Sequence, residues 1–256
     1  MGGSEAVHSD IRRLNANHIK LIAIFAMTVD HIAWTVFPGN ATGFLPIVMH
    51  IVGRITCPVM CYFVSEGYHY TKNIRSYTRR MFAFAFLSHF AYRFYSADFA
   101  GWESFIPFYF GDVLNQTSVM WSLAWGLVML RVINSTKISR NSVKILLISL
   151  ICVLSIPSDW SCIAALCVLA FGTSYGDFKL QMQRLLFMTL FAAAYCVFIG
   201  GWYGLLQLAM ILSIPILMLY NGKRGKKPKV NRGMQWLFYV YYPLHLLVIG
   251  CIRHLR

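Results

Sequence analysis

The chain has 256 residues, of which 58% are hydrophobic and 12% charged, so it is too apolar for a soluble domain. Its net charge of +14 comes from short basic tracts between apolar blocks, which favours membrane orientation over nucleic-acid binding. We therefore expect no nucleic-acid partner. None of the seven cysteines forms a CxxC pair, so no metal site is expected either.

Apolar blocks punctuated by Gly, Pro, Asn and charge predict an all-α, polytopic helix bundle of about nine transmembrane helices. The predicted spans lie near residues 18–37, 44–68, 77–96, 115–133, 143–157, 160–174, 182–200, 203–220 and 234–253. The short fifth and sixth spans can also be read as one broken hairpin.

A cytoplasmic N-terminus agrees best with the distribution of basic residues. It places 19 of the 23 Lys and Arg on the cytoplasmic side, in the stretches 12–20, 72–80, 131–144, 179–184 and 223–232. We therefore predict one transmembrane domain over residues 1–256, with residues 1–17 as a cytoplasmic segment. The expected location is the inner (cytoplasmic) membrane of the cell, with the lipid bilayer as a partner.

The first span carries Asp30 and His31 side by side near its centre. Ionisable groups in hydrocarbon cost free energy and by default indicate function. Neighbouring helix positions point about 100° apart, so we expect the two side chains to face different partners, one the substrate and one a structural counter-ion. The alternative is a polar contact that only holds helices together.

The second span has a stripe of polar or small residues spaced three or four apart, namely His50, Arg54, Cys57, Cys61 and Ser65. Arg54 lies near mid-membrane and cannot lose its charge, so it needs a partner. Asp30 is the structural candidate, and a phosphate or the oxyanion of an acyl-transfer intermediate is the functional one.

A basic cluster follows the second span, consisting of Lys72, Arg75, Arg79 and Arg80. Such clusters usually contact anionic lipid head groups, but they can also bind the phosphates of a nucleotide-containing cofactor. On the opposite side, the aromatic and acidic segment 97–114 is expected to lie on the membrane surface.

In the last span, His245 falls at the predicted depth of His31, and Pro243 is expected to bend the helix. We therefore predict that Asp30, His31, Arg54 and His245 converge on one buried polar site.

Three stretches carry recognisable motifs: KLIAIFAMTVDHIAW, GRITCPVMCYFVSEGYHYTKN with the SYTRRMFAFAFLSHFAYRF segment after it, and YVYYPLHLLVI. Together they resemble the TraX family of conjugal-transfer membrane proteins. The resemblance implies a transmembrane acyltransferase that uses cytosolic acetyl-CoA, and one family member acetylates the N-terminus of conjugative pilin. It carries the role of the acyl-transfer histidine onto His31, with Asp30 beside it and Arg54 in the matching motif of the second span.

The resulting prediction is an enzyme that transfers acetyl from acetyl-CoA to an amine or hydroxyl acceptor, either a small molecule or a peptide, with His31 as general base. Lys72, Arg75, Arg79 and Arg80 are expected to hold the CoA phosphates, and His245, Glu66 and Tyr242 to bind the acceptor. The alternative is a proton- or ion-coupled transporter, because midplane Asp, His and Arg also form proton relays. The sequence does not predict the oligomeric state.

Overall fold

The computed structural model describes residues 12–96, residue 106 and residues 113–255, and this part of the chain is all-helical. Ten α-helices follow one another, with one 3-10 segment, Gly201–Leu212, between α8 and α9. They are α1 (Ala16–Val36), α2 (Phe44–Gly53), α3 (Thr56–Tyr70), α4 (Ile74–Ser96), α5 (Val119–Ile133), α6 (Asn141–Ser155), α7 (Ile163–Thr173), α8 (Phe178–Gly200), α9 (Ser213–Met218) and α10 (Pro228–His254).

Each of the nine predicted spans corresponds to a helical stretch of the described residues, so the predicted helix bundle is confirmed. Four stretches are long and apolar enough to cross a bilayer by length and composition: Ala16–Val36, Phe44–Tyr70, Phe178–Met218 and Pro228–His254. Three apolar helices, α5 to α7, are shorter. The chain is therefore a multi-pass membrane protein. The predicted surface segment 97–114 lies outside the described residues except for Ile106, Val113 and Leu114, as does most of the segment 1–17.

The second span is two helices rather than one, because the chain turns at Arg54 and Ile55 between α2 and α3. Pro58 explains the break: proline has no N–H, so the carbonyl of Arg54 receives no helical hydrogen bond from four residues ahead. At the same place, the Ile55 N–H donates to the Val52 carbonyl three residues back, at 3.3 Å, rather than to the residue four back as in an α-helix. The break leaves Arg54 at the end of α2.

Gly201 separates the seventh and eighth predicted spans. Its φ of +72° belongs to the left-handed region, which glycine adopts at little cost. The chain then folds back on α8: a Cβ built on Gly204 would come within 2.3 Å of the Cys196 carbonyl carbon and the Val197 nitrogen. The 3-10 segment therefore packs backbone to backbone against the end of α8.

The chain forms two compact units, and the first consists of residues 1–60 and 189–241. Within it, α2 packs on α1 and on the 3-10 segment. The first part of α10 also lies along α1, since Asn17 donates to Asn231 at 2.8 Å and the Thr28 and Tyr241 hydroxyls are 2.7 Å apart. The second contact lies closer than the first to the C-terminal end of both helices, so α1 and α10 run parallel. Parallel first and last spans agree with the predicted odd number of crossings.

The second unit consists of residues 61–188 and 242–256. Here α5 packs against α4, α6 and α7, around Met129, Ile151 and Ala165. The Ser122 hydroxyl fastens α5 to α7, because it donates to the Ser161 carbonyl at 2.7 Å and accepts from the Ala165 N–H at 3.0 Å. The hydroxyl thus both donates and accepts inside the apolar interior.

Candidate functional site

A largely buried carboxylate in the first unit connects α1 with α2. Oδ1 of Asp30, on α1, lies 2.8 Å from Nδ1 of His50 on α2 and 3.8 Å from Nη2 of Arg54. His50 is fully buried, and the side chains of Arg54 and Asp30 are 9% and 14% exposed. The predicted pairing of Asp30 with Arg54 is therefore present, with His50 as a closer second partner. We call these three residues the Asp30 cluster.

Gly53 allows the carboxylate to approach α2 this closely. A Cβ at this position would lie 2.3 Å from Asp30 Cβ and 2.4 Å from its Oδ1, well inside van der Waals contact. The sequence GR-x(3)-P thus has a local physical meaning: Gly53 admits Asp30, Arg54 faces it, and Pro58 ends α2 at that point.

Two aromatic rings enclose the imidazole of His50. The ring of Trp34, one turn beyond Asp30 on α1, has its centroid 4.4 Å from that of His50, and the ring of Tyr203 stands edge-on at 5.8 Å. Within the described part of the chain, neither His50 Nε2 nor the Tyr203 hydroxyl has a hydrogen-bond partner, although both atoms are buried. Buried polar atoms are nearly always bonded in proteins, so two orphaned atoms on neighbouring rings indicate a site for a polar ligand or water.

The Asp30 cluster is not at the middle of α1. Asp30 is 14 residues from the start of the helix at Ala16 and six from its end at Val36, which places it about 21 Å and about 9 Å from the two ends. The cluster therefore lies nearer the end of α1 that is away from the chain's N-terminus.

The ring of His31 has a hydrogen-bond partner on its own helix. Its Nδ1 lies 2.9 Å from the Met27 carbonyl, and the residue is 8% exposed. A carbonyl only accepts, so Nδ1 carries the proton, and in a neutral ring the basic lone pair is on Nε2. The helix backbone thus fixes the tautomer of His31 in the form that a general base requires.

His50 has the same tautomer for a different reason. An ionised carboxylate also only accepts, so His50 donates from Nδ1 to Asp30 and its Nε2 is basic when the ring is neutral. The carboxylate would in addition compensate the positive charge of His50 after proton uptake. The cluster thus holds a base, its counter-ion and a permanent cation in one buried place.

The predicted acceptor residues belong to the second unit. Tyr242 and His245, on α10, are both buried, with ring centroids 5.4 Å apart. Nearby in this unit, the Tyr92 hydroxyl donates to Asp159 Oδ1 at 3.3 Å. The predicted convergence of His245 with Asp30, His31 and Arg54 stays a prediction, because His245 and the Asp30 cluster belong to different units.

Glu66, the third predicted acceptor residue, lies half-buried near the end of α3. Close to it, the ring of His69 stacks on that of Tyr175 with centroids 4.0 Å apart. Partial burial raises the pKa of Tyr175 to about 12, and the adjacent Tyr70 and the negative charge of Glu66 add to the shift. This part of the second unit is aromatic and rich in hydrogen-bonding groups.

The predicted phosphate-binding residues lie in the same unit, Lys72 in the turn before α4 and the three arginines in the first two turns of that helix. Lys72, Arg75 and Arg79 are exposed. Arg80 is half-buried, donates to the Ser76 hydroxyl at 3.1 Å and lies over the Tyr77 ring. Three exposed cations and one anchored guanidinium are compatible with binding either a phosphorylated ligand or anionic lipid.

Two residues of the site were not predicted to be functional. The sequence does contain an indication for His50, because this residue lies one turn before Arg54 on the polar stripe. The pattern does not show that His50 contacts Asp30. No sequence pattern indicates Tyr203, because the 3-10 segment reaches α2 only through the reversal of the chain at Gly201.

Comparison with known proteins places the chain in a family. The family described as TraX protein matches residues 15–253. A probable fimbrial assembly protein, FimC of serogroup H1 from Dichelobacter nodosus, is 27% identical over 253 residues, covering 92% of this chain and 94% of the relative. No solved structure matches the chain significantly.

Proposed function

The chain belongs to the TraX family, and on that premise we propose that it is an inner-membrane acetyltransferase. It moves an acetyl group from acetyl-CoA to the N-terminal amine of a pilin-like peptide. The observation that carries the proposal is the buried Asp30 cluster with His31 beside it, which supplies basic imidazole nitrogens and a fixed cation inside an apolar helix bundle. The fimbrial assembly role in the relative's name supports a pilin-like acceptor.

The proposed reaction needs one base and one electrophilic group. The lone pair of the acceptor nitrogen forms a bond to the acetyl carbonyl carbon, the carbon–sulphur bond breaks, and its electron pair leaves on the CoA sulphur. The proton lost by the amine passes to imidazole Nε2 and then to the thiolate. In the sequence-based scheme this base is His31, and Arg54 polarises the carbonyl oxygen.

The remaining predicted residues bind the two substrates in this proposal. The exposed Lys72, Arg75 and Arg79 and the anchored Arg80 offer charge-assisted hydrogen bonds to the CoA phosphates. Acceptor binding is proposed for Glu66, Tyr242 and His245. These assignments predict that neutralising the basic residues raises the KM for acetyl-CoA and leaves the KM for the acceptor unchanged.

The test is acetyl transfer by purified protein in detergent or nanodiscs. Radiolabelled acetyl-CoA is offered with peptides that carry free or blocked N-termini, and His31→Ala is compared with His18→Ala. His18 also lies on α1 but is 12 residues before Asp30, about 18 Å along the helix. We expect transfer to free N-termini only, and its loss in His31→Ala but not in His18→Ala. If the wild-type protein transfers no label, the proposed acetyltransferase activity is wrong. Proton flux in proteoliposomes would then support the alternative, a proton-coupled transporter.

A further inference from the structure

We propose that His50, backed by Asp30, takes the proton from the acceptor in place of His31, which has this role in the sequence-based scheme. The inference rests on the proposed acetyl transfer and deepens it. It starts from the two features that set His50 apart: a carboxylate 2.8 Å from Nδ1, and a buried Nε2 with no hydrogen-bond partner in the described part of the chain.

The two histidines differ in how the Asp30 carboxylate meets them, and this difference bears on which one accepts the proton. When an imidazole takes up a proton it becomes a cation, and a cation inside an apolar bundle needs an opposite charge close by. His50 has the Asp30 carboxylate on its other nitrogen, whereas His31 Nδ1 contacts a neutral backbone carbonyl. A protonated His50 would therefore be compensated through a direct hydrogen bond, whereas at His31 the carboxylate charge acts only through space.

The surroundings of His50 fit a bound polar group. Trp34 and Tyr203 enclose the ring, and the Tyr203 hydroxyl is a second buried polar atom without a partner among the described residues. A ligand that donates an N–H to Nε2 and accepts from the tyrosine hydroxyl would satisfy both atoms. A peptide terminus has both groups, since its amine nitrogen donates and its first carbonyl oxygen accepts.

The proposed step is balanced within the acetyl transfer. The acceptor N–H bond breaks as its nitrogen attacks the acetyl carbon, and the proton goes to His50 Nε2 while Nδ1 keeps its hydrogen bond to Asp30. The electron pair of the carbon–sulphur bond leaves on sulphur, and the proton then passes from Nε2 to that thiolate. Asp30 acts through His50 and is a positioning residue, while Tyr203 contacts the acceptor.

The experiment compares His50→Asn with His31→Asn. Asparagine at position 50 can keep an N–H donor for Asp30 but has no basic nitrogen. We expect kcat of His50→Asn to fall about 10²- to 10⁴-fold with an unchanged KM for acetyl-CoA, because general base catalysis contributes that much. The defect should shrink for a peptide whose N-terminus carries a less basic aminooxy group, because its adduct is acidic enough to lose the proton to water. Damage to the fold would slow both peptides equally.

Three outcomes overturn the inference. If wild-type protein transfers acetyl and His50→Asn retains at least a tenth of its kcat, His50 is not the base, and loss in His31→Asn alone would assign the role to His31. If wild-type protein transfers nothing, the proposed function itself fails and the inference falls with it. If His50→Asn does not fold, ¹⁵N NMR of histidine-labelled wild type replaces it: a neutral His50 ring with the proton on Nδ1 is expected, and a ring protonated on both nitrogens excludes the role.

Discussion

Replacing Gly53 by alanine tests the geometry of the Asp30 cluster without changing a charge. The added methyl group would lie 2.4 Å from Asp30 Oδ1, and ordinary contact begins near 3.4 Å, so the carboxylate must retreat by about 1 Å. A retreat of that size lengthens the contact between His50 and Asp30 from 2.8 Å to as much as about 3.8 Å, beyond hydrogen-bond range. Overpacking of this kind costs about 1–3 kcal/mol, partly offset by the better helix propensity of alanine.

The assay is the apparent unfolding temperature of Gly53→Ala in detergent, with Gly233→Ala as the matched control. Gly233 is also a helical glycine, but a Cβ added there would meet no atom within 4 Å, so alanine should be neutral or slightly stabilising. Gly233→Ala gains the same helix propensity without the clash, so at about 2–4 °C per kcal/mol Gly53→Ala should unfold at least about 2 °C below Gly233→Ala. If it unfolds at or above the temperature of Gly233→Ala, Asp30 does not lie against Gly53 and the cluster is built differently.

Three further predictions test the turn at Gly204 and the parallel packing of α1 and α10. Gly204→Ala should lower the apparent unfolding temperature more than Gly200→Ala, because only Gly204 lies against backbone atoms; equal effects would contradict the tight turn. Thr28→Val should show a coupling of about 0.6 kcal/mol with Tyr241→Phe in a double-mutant cycle, whereas Thr35→Val, which loses only a bond within its own helix, should show none. Reporter fusions to the two ends of the chain should report opposite sides of the membrane, since α1 and α10 run parallel; the same side would refute the odd number of crossings.

The sequence alone predicts the helices of this protein well because membrane spans have strong local signals. The apolar blocks and their glycine, proline and charged boundaries locate nine helical stretches within a few residues. The break after Arg54 could also have been predicted, since Pro58 removes the N–H that would bond to its carbonyl.

The candidate site was only partly predictable, because it depends on contacts between distant residues. The separate hydrogen-bond partners of Asp30 and His31 agree with helix geometry, and the approach of Arg54 to Asp30 follows from the need to pair a buried guanidinium. The contact of His50 with Asp30 requires the relative rotation of α1 and α2, which depends on Gly53. Tyr203 enters the site only because the chain reverses at Gly201, and no spacing within the first two spans encodes that.

The net charge of the Asp30 cluster changes during the proposed reaction, because one of its three members takes up a proton. With His50 neutral, the carboxylate and the guanidinium cancel, so the resting cluster has no net charge. Proton uptake by His50 gives it one positive charge at the moment when negative charge appears on the departing sulphur. In a medium of low permittivity, opposite charges stabilise each other most when they arise together. The cluster would then attract the leaving group only during transfer and release the neutral thiol afterwards.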